Sequence, residues 1–171
     1  MANNNNIHPT AIVYPNVKLG TGITIGAYAV IGGPPEHKEF WSKPYHSVVV
    51  GDGCYISNHV TVDSGTTADT FIGNRCILLA KCHVGHDAIL EDDVTISVGA
   101  VVGGHTTIGQ YSNIGINAAL HQLTHVPKGV MVGMGCIVTK KTFLDSFSIY
   151  AGVPAKFIGI NKVLLERNKD L

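Results

Sequence analysis

The chain has 171 residues, a length typical of one domain. Twelve Lys and Arg balance twelve Asp and Glu, so the formal net charge is zero, whereas nucleic-acid binders carry a basic excess. Only 14% of the residues are charged and 45% are hydrophobic, which argues against a disordered chain. No apolar run reaches the roughly 20 residues of a membrane span, and the Asn-rich start lacks the features of a signal peptide. We therefore expect a cytoplasmic protein that binds no nucleic acid.

A six-residue repeat of aliphatic residues runs through most of the chain. It runs from Ile7 to Ile31, resumes at Val50, and continues from Ile72 to Val138 with Ile, Leu or Val at twelve consecutive positions. Six residues fit neither the period of a helix nor that of an alternating strand. They fit a three-sided coil with inward aliphatic residues, stacked on the next coil at about 4.8 Å. The sequence predicts an all-β fold, a left-handed parallel β-helix, which resembles that of the hexapeptide-repeat transferases.

Two interruptions of the repeat predict loops that leave the β-helix. Residues 33–47 and residues 63–71 break the six-residue spacing. Loops on a rigid scaffold often carry function, so we expect part of the functional site to come from these two segments.

The repeat fades after Val138. Residues 149–156 are interpreted as a turn, and residues 160–169 as a short amphipathic helix. We therefore expect a β-helix over residues 1–148, followed by a C-terminal turn and helix over residues 149–171.

Four cysteines occupy small inward positions of the repeat, where Cys behaves as a small hydrophobic residue. The chain has no Cys-x-x-Cys pair, so a zinc knuckle is excluded. We expect no disulfides, which agrees with a reducing compartment. The residues are Cys54, Cys76, Cys82 and Cys136.

Six of the nine histidines fall at repeat positions that point away from the core. His86 and His105 are 19 residues apart, one coil plus one residue, so they are expected on adjacent coils, with His83 and His121 near them. A histidine suits the role of general base at neutral pH. Attack on a thioester also needs oxyanion donors, which the N–H groups of Gly103–Gly104 would supply. The six histidines are His59, His83, His86, His105, His121 and His125.

Residues 7–122 resemble the UDP-N-acetylglucosamine O-acyltransferases, the first enzymes of lipid A biosynthesis. The resemblance rests on His83-Val84-Gly85-His86-Asp87, Gly104-His105, Ala119-Leu120-His121-Gln122 and the segment from Ser57 to Thr66. It implies an acyltransferase that moves an acyl group from acyl carrier protein or coenzyme A to a nucleotide-linked amino sugar. It also implies a homotrimer with sites between neighbouring β-helices, and no metal or tightly bound cofactor.

The resemblance assigns roles to individual residues. It makes His86 the general base, Asp87 a supporting or substrate-contacting acid, and Gly104 the oxyanion donor. A bulky Met134 at the position that limits acyl length implies a short or medium acyl chain. The substrate contacts it implies are Lys38, His83, His105, His121 and Gln122, and the acyl-chain or donor contacts are Met134, Lys140 and Lys156.

The end of the chain departs from that family, which carries a helical C-terminal domain of which about a dozen residues are kept here. Residues 151–156, Ala-Gly-Val-Pro-Ala-Lys, instead resemble a turn of the coenzyme A-dependent hexapeptide acetyltransferases. In those enzymes the turn lies near the phosphates of the coenzyme, which Lys140, Lys141 and Lys156 would then contact. A coenzyme A-dependent sugar N-acyltransferase is therefore the main alternative.

Two other functions are less consistent with the sequence. A zinc enzyme of the γ-carbonic anhydrase type needs histidines on matching coil positions, but His86 and His121 are 35 residues apart rather than 36. A non-enzymatic scaffold would explain the repeat but not the histidine cluster or the loops.

Overall fold

The structure is a computed structural model and describes residues 4–167. Within that range, short strands follow one another at intervals of about six residues and are succeeded by a short helix. In chain order the elements are β1 (Asn6–Ile7), β2 (Ile12–Val13), β3 (Lys18–Leu19), β4 (Thr24–Ile25), β5 (Val30–Gly33), β6 (Val48–Val50), β7 (Tyr55–Ile56), β8 (Thr61–Asp63), β9 (Thr70–Ile72), β10 (Ile77–Leu78), β11 (His83–Val84), β12 (Ile89–Leu90), β13 (Thr95–Ile96), β14 (Val101–Val102), β15 (Thr107–Ile108), β16 (Asn113–Ile114), β17 (Ala119–Leu120), β18 (His125–Val126), β19 (Met131–Val132), β20 (Ile137–Val138), β21 (Ser148–Ala151), β22 (Lys156–Ile160) and α1 (Lys162–Arg167).

Up to β20, every third strand joins the same sheet, so three strands make one coil. The first sheet has the order β1-β4-β7-β10-β13-β16-β19-β21-β22, the second β2-β5-β8-β11-β14-β17-β20, and the third β3-β6-β9-β12-β15-β18. Strands on successive coils pair in parallel, as in Leu78 with Ile96 and Val84 with Val102. The result is the left-handed parallel β-helix that the repeat predicts, with about eight turns.

From Ile25 to Val138 the aliphatic residue of each repeat is buried inside the coil, whereas Ile7 on the first coil is exposed. Leu78, Ile96 and Ile114 are in register in the first sheet and are fully buried. Burying such a side chain stabilises the fold by about 1.5–3 kcal/mol, so a continuous aliphatic column holds the stack together. The four cysteines are buried and free, as predicted.

Both predicted loops leave the β-helix at the same corner. The chain between β5 and β6 covers residues 34–47, and the chain between β8 and β9 covers residues 64–69. Each of these segments connects the second sheet to the third. We call the edge formed by these connections the loop corner; on later coils it consists of residues 85–88, 103–106 and 121–124. It is continued by residues 139–147, which follow β20 of the second sheet but lead to β21 of the first.

The C-terminal segment differs from the predicted turn over residues 149–156. The first part is strand β21, which continues the first sheet next to β19, and only residues 152–155 form the turn before the antiparallel strand β22. Tyr150 is buried in the place of an aliphatic residue, twelve positions after Val138, so an aliphatic pattern does not reveal it. Its hydroxyl oxygen accepts a hydrogen bond from the Asp145 N–H at 2.9 Å.

The predicted helix over residues 160–169 is observed as α1, while residues 168 and 169 lie outside the described range. The division of the chain at residue 148 stays a prediction. Between residues 4 and 167, no helix has the length and apolar character needed to span a membrane.

Candidate functional site

Several of the predicted site residues stack on successive coils of the loop corner. Val84 pairs with Val102, and Val102 pairs with Leu120, so the turns that follow these residues lie one above another. They carry His86 and Asp87 on the first of these coils, Gly104 and His105 on the second, and His121 and Gln122 on the third.

His86 forms a hydrogen-bonded pair with its neighbour Asp87. The distance between His86 Nδ1 and Asp87 Oδ2 is 2.8 Å, and the side chains are 12% and 3% exposed. Because a carboxylate only accepts hydrogen bonds, Nδ1 must carry the proton, which leaves a lone pair on Nε2 of the neutral ring. A lone pair held in this way can receive a proton from a substrate.

The Asp87 carboxylate lies in a cradle formed by the loop of residues 64–69. Thr66 donates to Oδ2 from N–H at 2.8 Å and from Oγ1 at 2.7 Å. Thr67 donates to Oδ1 from N–H and Oγ1, and Ala68 from N–H, at 2.8–2.9 Å. Burial acts to raise the pKa of Asp87, but the hydrogen bonds from Thr66, Thr67 and His86 hold it well below its usual range. Asp87 is therefore ionised and fixes the orientation of the His86 ring.

Gly104 lies directly against the His86 ring. A Cβ added at Gly104 would lie 2.7 Å from His86 Cε1 and 2.8 Å from Nε2, so the ring position requires glycine. Within the described chain the Gly104 N–H donates to no protein acceptor, which leaves it available as a donor. On the same coil, His105 contacts His86 edge to face, with ring centroids 5.1 Å apart. Its Nε2 atom is 3.6 Å from Asp87 Oδ2.

His83 belongs to a second pair, with Asp63. Its Nδ1 is 2.9 Å from Thr61 Oγ1, and its Nε2 is 3.9 Å from Asp63 Oδ2. The Glu36 N–H donates to the same Asp63 oxygen at 3.1 Å. Burial raises the pKa of Asp63, and the nearby His83 only partly opposes this. Asp63 was not predicted as a site residue, although it lies in the segment that carries the family resemblance.

The first loop contributes His37 rather than the predicted Lys38 to the cluster. The His37 ring contacts the His86 ring edge to face, with centroids 5.7 Å apart, and contacts Phe40 at 5.6 Å. Lys38 is exposed and forms no ion pair or hydrogen bond with the described part of the chain. A loop residue cannot be placed by the repeat, and no sequence signal marked His37.

The remaining predicted residues lie farther along the β-helix. His121 and Gln122 are exposed, and His121 Nδ1 is 2.8 Å from the Gln122 carbonyl oxygen. Lys140 lies on the loop corner one coil beyond Gln122, because Leu120 pairs with Val138. It lines a pocket of about 210 Å³ with Leu123, Thr124, His125, Thr142, Phe143 and Leu144.

Met134 and Lys156 lie away from the loop corner. Met134 is 76% exposed at the corner between the first and second sheets. Lys156 is exposed at the start of β22. Of the three predicted donor contacts, Lys140 alone shares an edge with His86.

One group of three side chains has the spacing of a metal site. Ligand atoms of His86, Asp87 and His105 lie within 4.8 Å of one another. Both Asp87 oxygens, however, already accept hydrogen bonds from the Thr66–Ala68 cradle, and Oδ2 also bonds His86. The cluster fits a hydrogen-bonded carboxylate that orients a histidine better than it fits a metal centre.

No protein-family model matches the chain. It is similar to the acyl-[acyl-carrier-protein]–UDP-N-acetylglucosamine O-acyltransferase of Sinorhizobium fredii, with 30% identity over 159 residues, 91% of this chain and 58% of that protein. Its structure is similar to the crystal structure of a UDP-N-acetylglucosamine acyltransferase from Bacteroides fragilis. The identity there is 30% and the TM-score 0.89, over 96% of this chain and 64% of that chain.

An acetyltransferase domain with another name also has a similar fold. The acetyltransferase domain of PglB from Neisseria gonorrhoeae is 27% identical, with a TM-score of 0.57, over 90% of this chain and 57% of that chain. The chain thus spans less than two thirds of the length of each of these proteins.

Proposed function

The chain is a homologue of the UDP-N-acetylglucosamine acyltransferases over most of its length, and on that premise we propose that it transfers an acyl group from a thioester to a nucleotide-linked amino sugar. The observation that carries the proposal is the His86–Asp87 pair. An ionised carboxylate in a cradle of donors fixes a neutral imidazole, and its free nitrogen lies beside an unused backbone N–H.

His86 acts as the general base in this proposal. Its Nε2 takes the proton from the attacking hydroxyl or amine as the nucleophile bonds to the thioester carbon. Asp87 stabilises the imidazolium that forms. The Gly104 N–H stabilises the oxyanion, and one such donor is worth about 10²–10³ in rate. When the carbon–sulfur bond breaks, the imidazolium returns the proton to the thiolate.

The other histidines of the loop corner are proposed as substrate contacts. His83 and His105 flank His86, and His105 also borders the Asp87 carboxylate. His121 and Gln122 lie one coil farther, where they would contact the rest of a sugar nucleotide or the acyl donor. Lys38 is proposed as a contact to the nucleotide, supported by its exposed position beside His37.

An exposed apolar stripe supports binding of an acyl chain. Val98, Ile116 and Met134 follow paired strands of the first sheet, so they lie above one another on one corner, and all three are exposed. In a homotrimer this corner of one copy would face the loop corner of the next. Exposed apolar residues on the flat faces, such as Tyr55 and Ile77, support such an assembly. A cytoplasmic location stays a prediction.

Two versions of the proposal differ in the acyl donor, which is either acyl carrier protein or coenzyme A. The names of the curated relatives specify acyl carrier protein as the carrier. The coenzyme A alternative, with transfer to nitrogen, is supported by Lys140 in its pocket on the loop corner. The similarity to the acetyltransferase domain of PglB supports a short acyl group. Lys156, in the turn that resembles those of coenzyme A-dependent enzymes, would be a further phosphate contact.

Release of free thiol tests the proposal directly. The donors are acetyl-coenzyme A and a short 3-hydroxyacyl carrier protein, each with UDP-N-acetylglucosamine or a UDP-linked sugar that has a free amine. Turnover that requires both a donor and a sugar nucleotide supports the proposal. The absence of acceptor-dependent thiol release in every combination would contradict it.

A further inference from the structure

Two buried carboxylates lie beside the histidines of the site, but their hydrogen bonding differs. Asp87 has both oxygens filled by donors of the Thr66–Ala68 cradle. Asp63, whose side chain is 10% exposed, accepts one hydrogen bond, from the Glu36 N–H to Oδ2. Its Oδ1 atom accepts none in the described part of the chain.

The unpartnered oxygen of Asp63 is accessible rather than sealed inside the protein. In the described range, no fully buried side-chain oxygen or nitrogen is without a partner, so Asp63 Oδ1 must be accessible. Val62 pairs with Val84, and Asp63 therefore stacks on Gly85, the residue before His86. His83 and His86 both lie close enough to the Asp63 carboxyl to act on its pKa.

The protein leaves the charge of Asp63 incompletely compensated. Burial raises the pKa of Asp63, in contrast to Asp87, because a single N–H group and a histidine 3.9 Å away do not replace the lost hydration. Within residues 4–167, no Lys or Arg forms an ion pair with Asp63 or Asp87. A cationic donor from a ligand would supply the missing partner through a charge-assisted hydrogen bond.

We propose that Asp63 is the acceptor-binding carboxylate and holds the amine of an amino sugar, so that the acyl group is transferred to nitrogen. This assignment rests on the proposed function. Asp63 stacks on Gly85, which precedes His86, so an amine held by the free Oδ1 atom would lie close to the base. Asp87 cannot serve this purpose because the cradle occupies it.

The reaction is balanced with the groups present. The bound ammonium first releases one proton to water, and the nitrogen lone pair forms the C–N bond with the thioester carbon. The C–S bond breaks, and His86 Nε2 moves the second N–H proton to the departing thiolate. The products are an amide and a free thiol.

The experiment compares acceptors that differ in the nucleophile. Wild-type protein and the Asp63→Asn variant are assayed for thiol release with UDP-N-acetylglucosamine, with UDP-glucosamine, and with UDP-N-acetylglucosamine derivatives that have an amine at C3 or C4. The donors are acetyl-coenzyme A and the 3-hydroxyacyl carrier protein. Asp63→Asn keeps the shape of the side chain and an oxygen for the Glu36 N–H, and thermal unfolding checks its fold. Asp145→Asn, in the exposed segment before β21, is the matched control.

The wild type is expected to turn over an amine acceptor at least 100-fold more efficiently in kcat/KM than UDP-N-acetylglucosamine. Asp63→Asn is expected to raise KM for that acceptor at least tenfold with a smaller change in kcat, while Asp145→Asn has no effect. Preference for a hydroxyl acceptor, or an unchanged KM in Asp63→Asn, overturns the assignment and leaves the acyltransferase proposal in place. The absence of thiol release with every acceptor and both donors overturns the Asp63 assignment and the acyltransferase proposal together.

Discussion

Substitution of Gly104 by Ala displaces the His86 ring without a general loss of stability. The added Cβ would lie 2.7 Å from His86 Cε1, whereas carbon atoms in contact are about 3.5 Å apart or more, so the ring must move by roughly 0.8 Å. The same movement lengthens the 2.8 Å bond from His86 to Asp87 beyond useful hydrogen-bond range. Because a misplacement of about 1 Å can cost about 10² in rate, kcat is expected to fall about 100-fold.

Thiol release measures the expected fall in kcat, and thermal unfolding measures whether the variant keeps its stability. The backbone at Gly104 does not have a positive φ, so alanine fits it and the melting temperature is expected to stay close to that of the wild type. Gly159→Ala is the matched control, because a Cβ at Gly159 would meet no atom within 4 Å. A folded Gly104→Ala variant with kcat within threefold of the wild type would refute the role assigned to the His86 position.

Three further changes test separate parts of the site. Asp87→Asn replaces a carboxylate that is 3% exposed and accepts charge-assisted hydrogen bonds, so the free energy of unfolding at pH 7 is expected to fall by about 3 kcal/mol in denaturant titrations. Because the pKa of Asp87 is lowered by folding, its contribution is present above the unfolded value of about 3.9 and is lost at lower pH. The difference between wild type and variant should therefore shrink as the pH falls below about 4, and a constant difference would contradict this. Lys140→Ala is expected to raise KM for acetyl-coenzyme A about tenfold and leave KM for the sugar unchanged, and an equal effect on both would remove Lys140 from donor binding. Exhaustive dialysis against a chelator is expected to leave thiol release unchanged, and a loss that zinc restores would favour a metal at His86, Asp87 and His105.

The repeat determines how much of the site can be read from the sequence. The aliphatic residues at six-residue intervals are the ones buried in the coil, so the positions of residues between them follow from counting. The spacing of 19 between His86 and His105 correctly placed their rings next to each other. The breaks in the period predicted loops over residues 33–47 and 63–71, and the segments between strands there are residues 34–47 and 64–69.

The parts of the site that depend on the loops could not be predicted from the sequence. The Thr66–Ala68 cradle around Asp87 depends on a loop conformation that has no periodicity, so the low pKa of Asp87 had no sequence signal. His37 reaches His86 from the other loop for the same reason. Tyr150 continues the core, but it is aromatic and so lies outside the aliphatic pattern. For this reason a turn was predicted where the structure has strand β21.

The most direct measurement compares thiol release by the wild type and by His86→Ala at saturating donor and acceptor. His8→Ala, which removes an exposed histidine on the first coil, is the control. If His86 is the general base, His86→Ala keeps the melting temperature and the KM values but loses about 10²–10⁴ in kcat, while His8→Ala retains full activity. A folded His86→Ala variant that keeps the wild-type kcat would contradict the account.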